Sequence, residues 1–575
     1  MMHFLSGPRR SILISLIATV STGALSLIAA MAGPVVGPEW LASLLTAFEK
    51  AVGLLSLALA AFFIYRAREN PEELWRSRYR VYTPSVLNDL LVFLPCLPWL
   101  VSLLVIDHQL YESLFLGDQD FTSLSEALNN TALGRGLLHT PYVDTGASGS
   151  FLGHHFAPGL LLYVPFYFVA HLFEFLARTV GAGTLIRPTH FLYAHLLWLT
   201  LGVGMYLWAR YFVIELRSVT RAVIVVALLM LNVPLWRLAL SFHWEIMVLP
   251  ASALTFLGLQ RRSRWQYIVG LLLWLSVKED VAIYAFLFGL YLLSDRERGN
   301  YAFEAVATCI ISLLYFGITR ELAMPHFRGT TAIIWDQYWA ADLPRSSDLW
   351  PSFKLLLAFA LLPLLNLRLT VCVLAPILLL HYFSRQPWHH DFMGHYCYSI
   401  LPFLLVGFCR GLNRVFLWNE RFSTRDYRPA TVALLLFVVL LTAAWDRLVP
   451  FPGRAPAPRH AIVQNMLAAL PDDTCLQLQA PFSALAPLGV RVFPIAVPPS
   501  NPYSAVVPGP GNFDSFYFGP ETPCRDYVLV IDPSDIRPQY DAETLARLIQ
   551  YADRNLTLQS AVNGLWIYGL TGLRY

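Results

Sequence analysis

Residues 246–293 read IMVLPASALTFLGLQRRSRWQYIVGLLLWLSVKEDVAIYAFLFGLYLL. Three apolar runs, 246–260, 266–277 and 281–293, are separated by two short polar islands. Arg261, Arg262 and Arg264 divide the first pair, and Val277-Lys278-Glu279-Asp280 divides the second. A surface helix of a soluble protein shows polar residues around most of its circumference. These runs do not, and they read as neighbouring helices of a membrane-embedded bundle joined by short turns.

The rest of the chain agrees. Of 575 residues, 56% are hydrophobic and 14% charged, against about 25% charged in soluble domains. A soluble globular chain and a disordered one are both excluded. With 41 Lys and Arg against 38 Asp and Glu, the net charge of +3 is too small and too dispersed to select nucleic acid as a partner. The 16 Trp, 27 Tyr and 37 Phe suit a helical bundle with interfacial aromatic belts.

Further apolar runs lie near 40–65, 88–106, 157–177, 191–213, 222–240, 302–319, 353–366, 369–384, 397–411 and 430–445. Arg9 and Arg10 precede another, from Ile12 to Met31. It exceeds the roughly 7–15 residues of a cleavable signal core, so a retained first helix is expected. Basic residues gather at 66–80, at 261–264, at Arg296 and Arg298, and at 410–428, which marks these loops as cytoplasmic. The long loops 107–156, 320–352 and 385–396, and everything after Asp446, then face outward. Parity requires that one apolar run between 157–177 and 246–260 fail to cross. The run 222–240, interrupted by Asn232-Val233-Pro234, is expected to be broken or re-entrant.

Residues 447–575 change character. Proline-rich stretches alternate with short β-branched runs such as Tyr527-Val528-Leu529-Val530-Ile531. Strands are predicted near 475–479, 490–495, 526–531 and 557–568, and helical periodicity returns at 541–552. The expected organisation is an N-terminal helix pair and cytoplasmic loop (1–85), a transmembrane domain (86–446) with outer loop 107–156, and a small extracytoplasmic α/β domain (447–575). Five cysteines lie in or beside apolar runs and read as small buried hydrophobes. Cys475 and Cys524 fall in the polar C-terminal region and could pair if it is exported. No C-x-x-C spacing or Cys/His ligand pattern indicates zinc.

The densest titratable cluster is the first outer loop, with Asp107, Glu112, Asp118, Asp120, Glu126, His139, Asp144, His154 and His155. In an extended segment Asp118-Gln119-Asp120 puts two carboxylates on one side. There they could hold a divalent cation, or one could act as base while the other orients it. A solvated acidic loop is the plainer reading. Gly153-His154-His155-Phe156-Ala157-Pro158 opens an apolar helix, where imidazoles and orphan N–H groups suit a phosphate, although histidines that merely cap the helix fit the spacing equally. Phe242-His243-Trp244-Glu245 and Val277-Lys278-Glu279-Asp280 are charged islands in apolar sequence, which mark a functional site unless the charges simply pair within a turn. His389, His390 and His395 lack a firm metal-ligand spacing and suit an anion-attracting rim. Loop 320–352 reads as an aromatic belt.

Asp118-Gln119-Asp120, His155-Phe156-Ala157-Pro158, Phe242-His243-Trp244-Glu245, Val277-Lys278-Glu279-Asp280 and His395-Tyr396 ahead of Pro402-Phe403 occur in an order that resembles an uncharacterised bacterial multi-spanning family, distantly related to GT-C glycosyltransferases. The resemblance covers roughly residues 85–575. It implies a mainly α, GT-C-like bundle of about 13 helices in the bacterial inner membrane. It also implies inverting, carboxylate-assisted transfer of a sugar from a polyprenyl-phosphate donor to a glycan, lipid or protein acceptor at the outer face. Asp120 would then be the catalytic base, with Asp118 as its alternate or metal partner; any divalent cation, Mg or Mn, would sit there. His154, His155, Lys278, His243 and His395 would meet the phosphate or its surroundings, and Glu245, Glu279 and Asp280 would position the sugar or hold Lys278. A competing reading makes the same charges the relay of a transporter or flippase, and a third makes the bundle an anchor for a C-terminal binding module. No P-loop or Rossmann glycine fingerprint supports a nucleotide-bound donor.

Overall fold

The computed structural model describes residues 86–114, 116, 119–140, 148–180, 188–294, 301–329, 349–384, 389–390, 392, 394–422, 432, 435–436, 438, 460–472, 474–494, 527–533, 546, 549–550, 552–554, 556–562 and 564–569. The expected helices at 12–31 and 40–65, most of 430–445 and most of 541–552 lie outside these residues. The chain divides into two compact units. One comprises Met1–Ile106, Leu197–Gly317 and Ile333–Ala455; the other comprises Asp107–Leu196, Ile318–Ala332 and Pro456–Tyr575.

Nearly every apolar run within the described residues is a helix. Among those residues, three helices are long and apolar enough to cross a membrane: Pro158–Thr179, Leu192–Leu216 and Ala302–Arg328. They turn large apolar side chains outward, among them Phe173 and Phe175 on the first and Leu313, Leu314 and Leu322 on the last. Such bands are stable only against lipid or another apolar surface. The expected break is present: Val219–Leu229 and Val233–Ala239 are bent by 65°. Asn232 stands at the turn with Pro234 in the first turn beyond it, and its amide donates to the Ala358 carbonyl at 2.9 Å, so the interruption is anchored. Together the pair is a broken span or a re-entrant loop.

In the first unit the helices Val248–Gln260 and Arg264–Leu275 lie in close contact because two glycines face across the gap. A Cβ on Gly258 would lie 2.5 Å from the Tyr267 nitrogen, and one on Gly270 would lie 2.5 Å from the Thr255 nitrogen. Small residues at such positions let helix backbones approach, which is how membrane helices gain packing contact. This hairpin and Val281–Ser294 carry the two charged islands of the sequence.

The second unit is built on a five-stranded sheet, β1 (Cys475–Leu478), β2 (Arg491–Pro494), β3 (Tyr527–Ile531), β4 (Thr557–Val562) and β5 (Leu565–Gly569), in the order β2-β1-β3-β5-β4. β1 runs parallel to β2 and β3, and β5 is antiparallel to β3 and β4. The single strand expected at 557–568 is a hairpin that turns at Gly564, whose φ of +83° suits glycine. Val463 and Leu467 of helix His460–Ala468 pack with Leu476, Val492, Val528 and Ile567 in one apolar core. Cys475 is disulfide-bonded, while Cys524 lies outside the described residues.

The helix Gln119–Ala132 belongs to this unit and corrects one expectation. Asp120 lies in its first turn, not in an extended segment. Asp118 lies outside the described residues. Residues 121–130 are all buried, so this stretch is a core element and not a solvated loop. Its polar groups are satisfied by remote partners: Thr122 donates to Ser483 at 2.6 Å and Asn129 to the Leu488 carbonyl at 2.7 Å. The backbone N–H groups of His190 and Phe191 reach the carbonyls of Ala486 and Ala484. Helix Gln119–Ala132 and the C-terminal sheet thus belong to one compact unit.

Candidate functional site

The first unit gathers the two charged islands. His243 precedes a short 3-10 turn, Trp244–Met247, that leads into Val248–Gln260; Lys278, Glu279 and Asp280 form the turn before Val281–Ser294; His395 lies on the 3-10 turn Gly394–Ser399. The Trp244 indole N–H donates to the Val277 carbonyl at 2.8 Å, tying one island to the other. Phe242, just before His243, holds φ at +54°, in the left-handed region that bulky residues avoid. Strain of this kind costs about 1–3 kcal/mol and persists where the surroundings fix the conformation.

These constraints centre the cluster on one carboxylate. The Lys278 ammonium donates to Glu245 Oε1 at 3.0 Å. His395 Nε2 stands 3.8 Å from the same oxygen, and His243 Nδ1 stands 3.4 Å from Oε2. Glu245, Lys278, Glu279 and His243 are buried, and His395 is partly exposed. Lys278 also lies 5.4 Å from the Trp244 ring centre and 5.3 Å from that of Tyr398, a cation held between two aromatic faces. Asp280 Oδ2 accepts hydrogen bonds from the Tyr284 hydroxyl at 3.1 Å and from the Tyr398 hydroxyl.

The two imidazoles stack, with centroids 3.7 Å apart and planes 16° from parallel. The cluster offers a fixed ammonium, two titratable imidazoles and carboxylates in apolar surroundings. That set can bind a phosphate or a metal ion.

Of the residues expected to form a site, His243, Glu245, Lys278, Glu279, Asp280 and His395 are therefore brought together within the first unit. Asp120, half-buried, and His154 and His155 belong to the second. His154 and His155 meet edge to face at 4.4 Å and pack on Phe151, and the His155 carbonyl accepts from the Ala157 N–H ahead of the helical segment Pro158–Thr179.

Sequence reasoning missed Tyr398 and Tyr284, which clasp Asp280, and it missed a second polar cluster. In the second unit, Ser125 Oγ lies 2.7 Å from His190 Nδ1 and 2.8 Å from the Tyr167 hydroxyl, and His190 Nε2 lies 3.4 Å from Glu126 Oε2. A parallel line runs from Asn129 to His171 (2.8 Å), Glu174, Arg178 and Asp472. Ser125, His190 and Glu126 have the composition of a hydrolytic triad, yet all three are buried and the serine hydroxyl is shared with Tyr167. This is a core polar network. Burial pushes the Glu126 carboxyl up to about 7 and His190 down to about 3, so both are neutral across mildly acidic pH.

Comparison with known proteins bears on the first unit most directly. Residues 187–450 match the family model described as Predicted membrane protein (DUF2079). That segment is narrower than the resemblance expected over 85–575. It holds every member of the Glu245 cluster, whereas Asp120, His154 and His155 precede it. No curated protein matches the chain. Among solved structures, the chain is similar to ArnT from Cupriavidus metallidurans, described as bound to undecaprenyl phosphate, at 13% identity and a TM-score of 0.46, over 83% of this chain and 99% of that one.

Proposed function

We propose that the protein is a membrane glycosyltransferase of the GT-C kind, which moves a sugar from a polyprenyl-phosphate donor to a glycan, lipid or protein acceptor at the outer face of the bacterial inner membrane. The observation that carries this reading is the Lys278 ammonium, fixed by Glu245, Trp244 and Tyr398 beside two imidazoles inside an apolar bundle. A lipid-linked phosphate is the ligand such a place suits, since its tail is apolar and its headgroup is anionic. In the transfer, the bond from the anomeric carbon to the donor phosphate breaks as the acceptor oxygen bonds to that carbon from the opposite side. The departing phosphate gains negative charge, which Lys278 and the N–H groups of His243 and His395 stabilise. The acceptor proton passes to a carboxylate, the role the sequence resemblance gives to Asp120. The Tyr284 and Tyr398 hydroxyls hold Asp280, which lies two residues beyond Lys278 in the same turn.

The test supplies polyprenyl-phosphate-linked hexoses to the purified full-length protein in nanodiscs with envelope lipids as acceptors, and follows free polyprenyl phosphate. Asp120→Asn is expected to slow release by about 100-fold or more, the usual contribution of a positioned base, and Lys278→Met by about 10-fold or more. Full turnover in both folded variants would refute the reading. So would passage of the intact donor across the bilayer without cleavage, the behaviour of a flippase using the same charges.

A further inference from the structure

We infer that His243, Glu245 and His395 form a seat for one divalent transition-metal ion of the zinc type. The inference rests on the geometry of the cluster and does not require sugar transfer. One donor atom from each residue lies within 4.8 Å of the other two. In a tetrahedral site with metal–ligand bonds of about 2.0–2.1 Å, neighbouring donors stand about 3.3 Å apart. His243 Nδ1 and Glu245 Oε2 already stand 3.4 Å apart. Glu245 Oε1 is engaged by Lys278, whereas Oε2 is buried and accepts no hydrogen bond among the described residues. A buried carboxylate oxygen in that state calls for a positive partner.

The donor set selects the type of ion, because two imidazoles and one carboxylate suit zinc, cobalt or nickel, while magnesium and calcium prefer all-oxygen shells. This ion would differ in kind and in place from the magnesium or manganese expected at Asp118 and Asp120. To complete the set, the partly exposed His395 ring turns out of the stack and brings Nε2 towards the ion in its own plane. Lys278 stays on Oε1 and orients the carboxylate. Three protein ligands leave a fourth position open to water or to a phosphate oxygen.

The test is a zinc titration of chelator-stripped, full-length protein in nanodiscs without added lipid donor, read by calorimetry and elemental analysis, with cobalt as a spectroscopic probe. One tightly bound zinc per chain is expected, together with visible bands of four-coordinate cobalt. His395→Ala and His243→Ala should each weaken zinc by about 100-fold or more, Lys278→Met by about 10- to 100-fold, and Asp120→Asn should leave it unchanged. His395, being partly exposed, gives a variant whose folding is readily verified by its melting profile. Absence of zinc binding, zinc binding unaffected by both histidine variants, or magnesium bound equally well would overturn the inference. Loss of zinc binding alongside intact polyprenyl-phosphate binding would overturn it alone and leave the proposed function standing.

Discussion

Replacing Lys278 by methionine keeps most of the side-chain stem while deleting the charge that faces Glu245 at 3.0 Å. Removing one partner of a buried ion pair costs about 3–5 kcal/mol, because the remaining charge stays buried and uncompensated. Loss of the contacts over Trp244 and Tyr398 adds about 0.5–2 kcal/mol. Two imidazoles remain within 4 Å of the carboxylate. Equilibrium unfolding in mixed micelles, followed by tryptophan fluorescence, measures the deficit. Glu245→Gln combined with Lys278→Met removes both charges, and the double variant should recover about 1–3 kcal/mol of the summed single losses. A Lys278→Met deficit below about 1 kcal/mol, or strict additivity in the cycle, would refute the claim that the pair is a buried, coupled unit.

Other outcomes follow from the same geometry. Glu126 is raised from 4.5 to about 7, so its contribution to stability is complete below pH 4.5 and lost as pH rises through 7. His190 is lowered from 6.5 to about 3, so its contribution is present above pH 6.5 and lost as pH falls towards 3. The slopes oppose each other between pH 4.5 and 6.5. Glu126→Gln should gain on wild type by up to about 3 kcal/mol as pH rises from 4.5 to 7.5, read by hydrogen exchange of residues 119–132; parallel profiles would count against it. Gly270→Val should lose about 1–3 kcal/mol, since its Cβ would meet the Thr255 backbone at 2.5 Å; an unchanged unfolding midpoint would argue against the close helix approach.

The helices were legible because lipid-facing and bundle-facing residues are both apolar, so continuous runs mark them directly. The bend at Asn232-Val233-Pro234 was legible because proline leaves a local signature. Helix Gln119–Ala132 was not. Its sequence is as polar as a loop, and it is buried only because Thr122 and Asn129 find partners 361 and 359 residues away. The site was half legible. Charges in apolar sequence exposed Glu245 and Lys278, which lie 33 residues apart. Tyr398 carries no such anomaly, and its bond to Asp280 spans 118 residues. Asp120 stands in the first turn of helix Gln119–Ala132 and not in the extended segment its polar surroundings suggested.

The most direct measurement compares the binding of a polyprenyl phosphate and the corresponding polyprenol to full-length protein in nanodiscs by native mass spectrometry, with and without Lys278→Met. The account predicts that the wild-type protein prefers the phosphate by about 10-fold or more, and that the variant loses most of that preference while still binding the tail. Equal affinity for the two lipids, or a preference that survives the substitution, would contradict it.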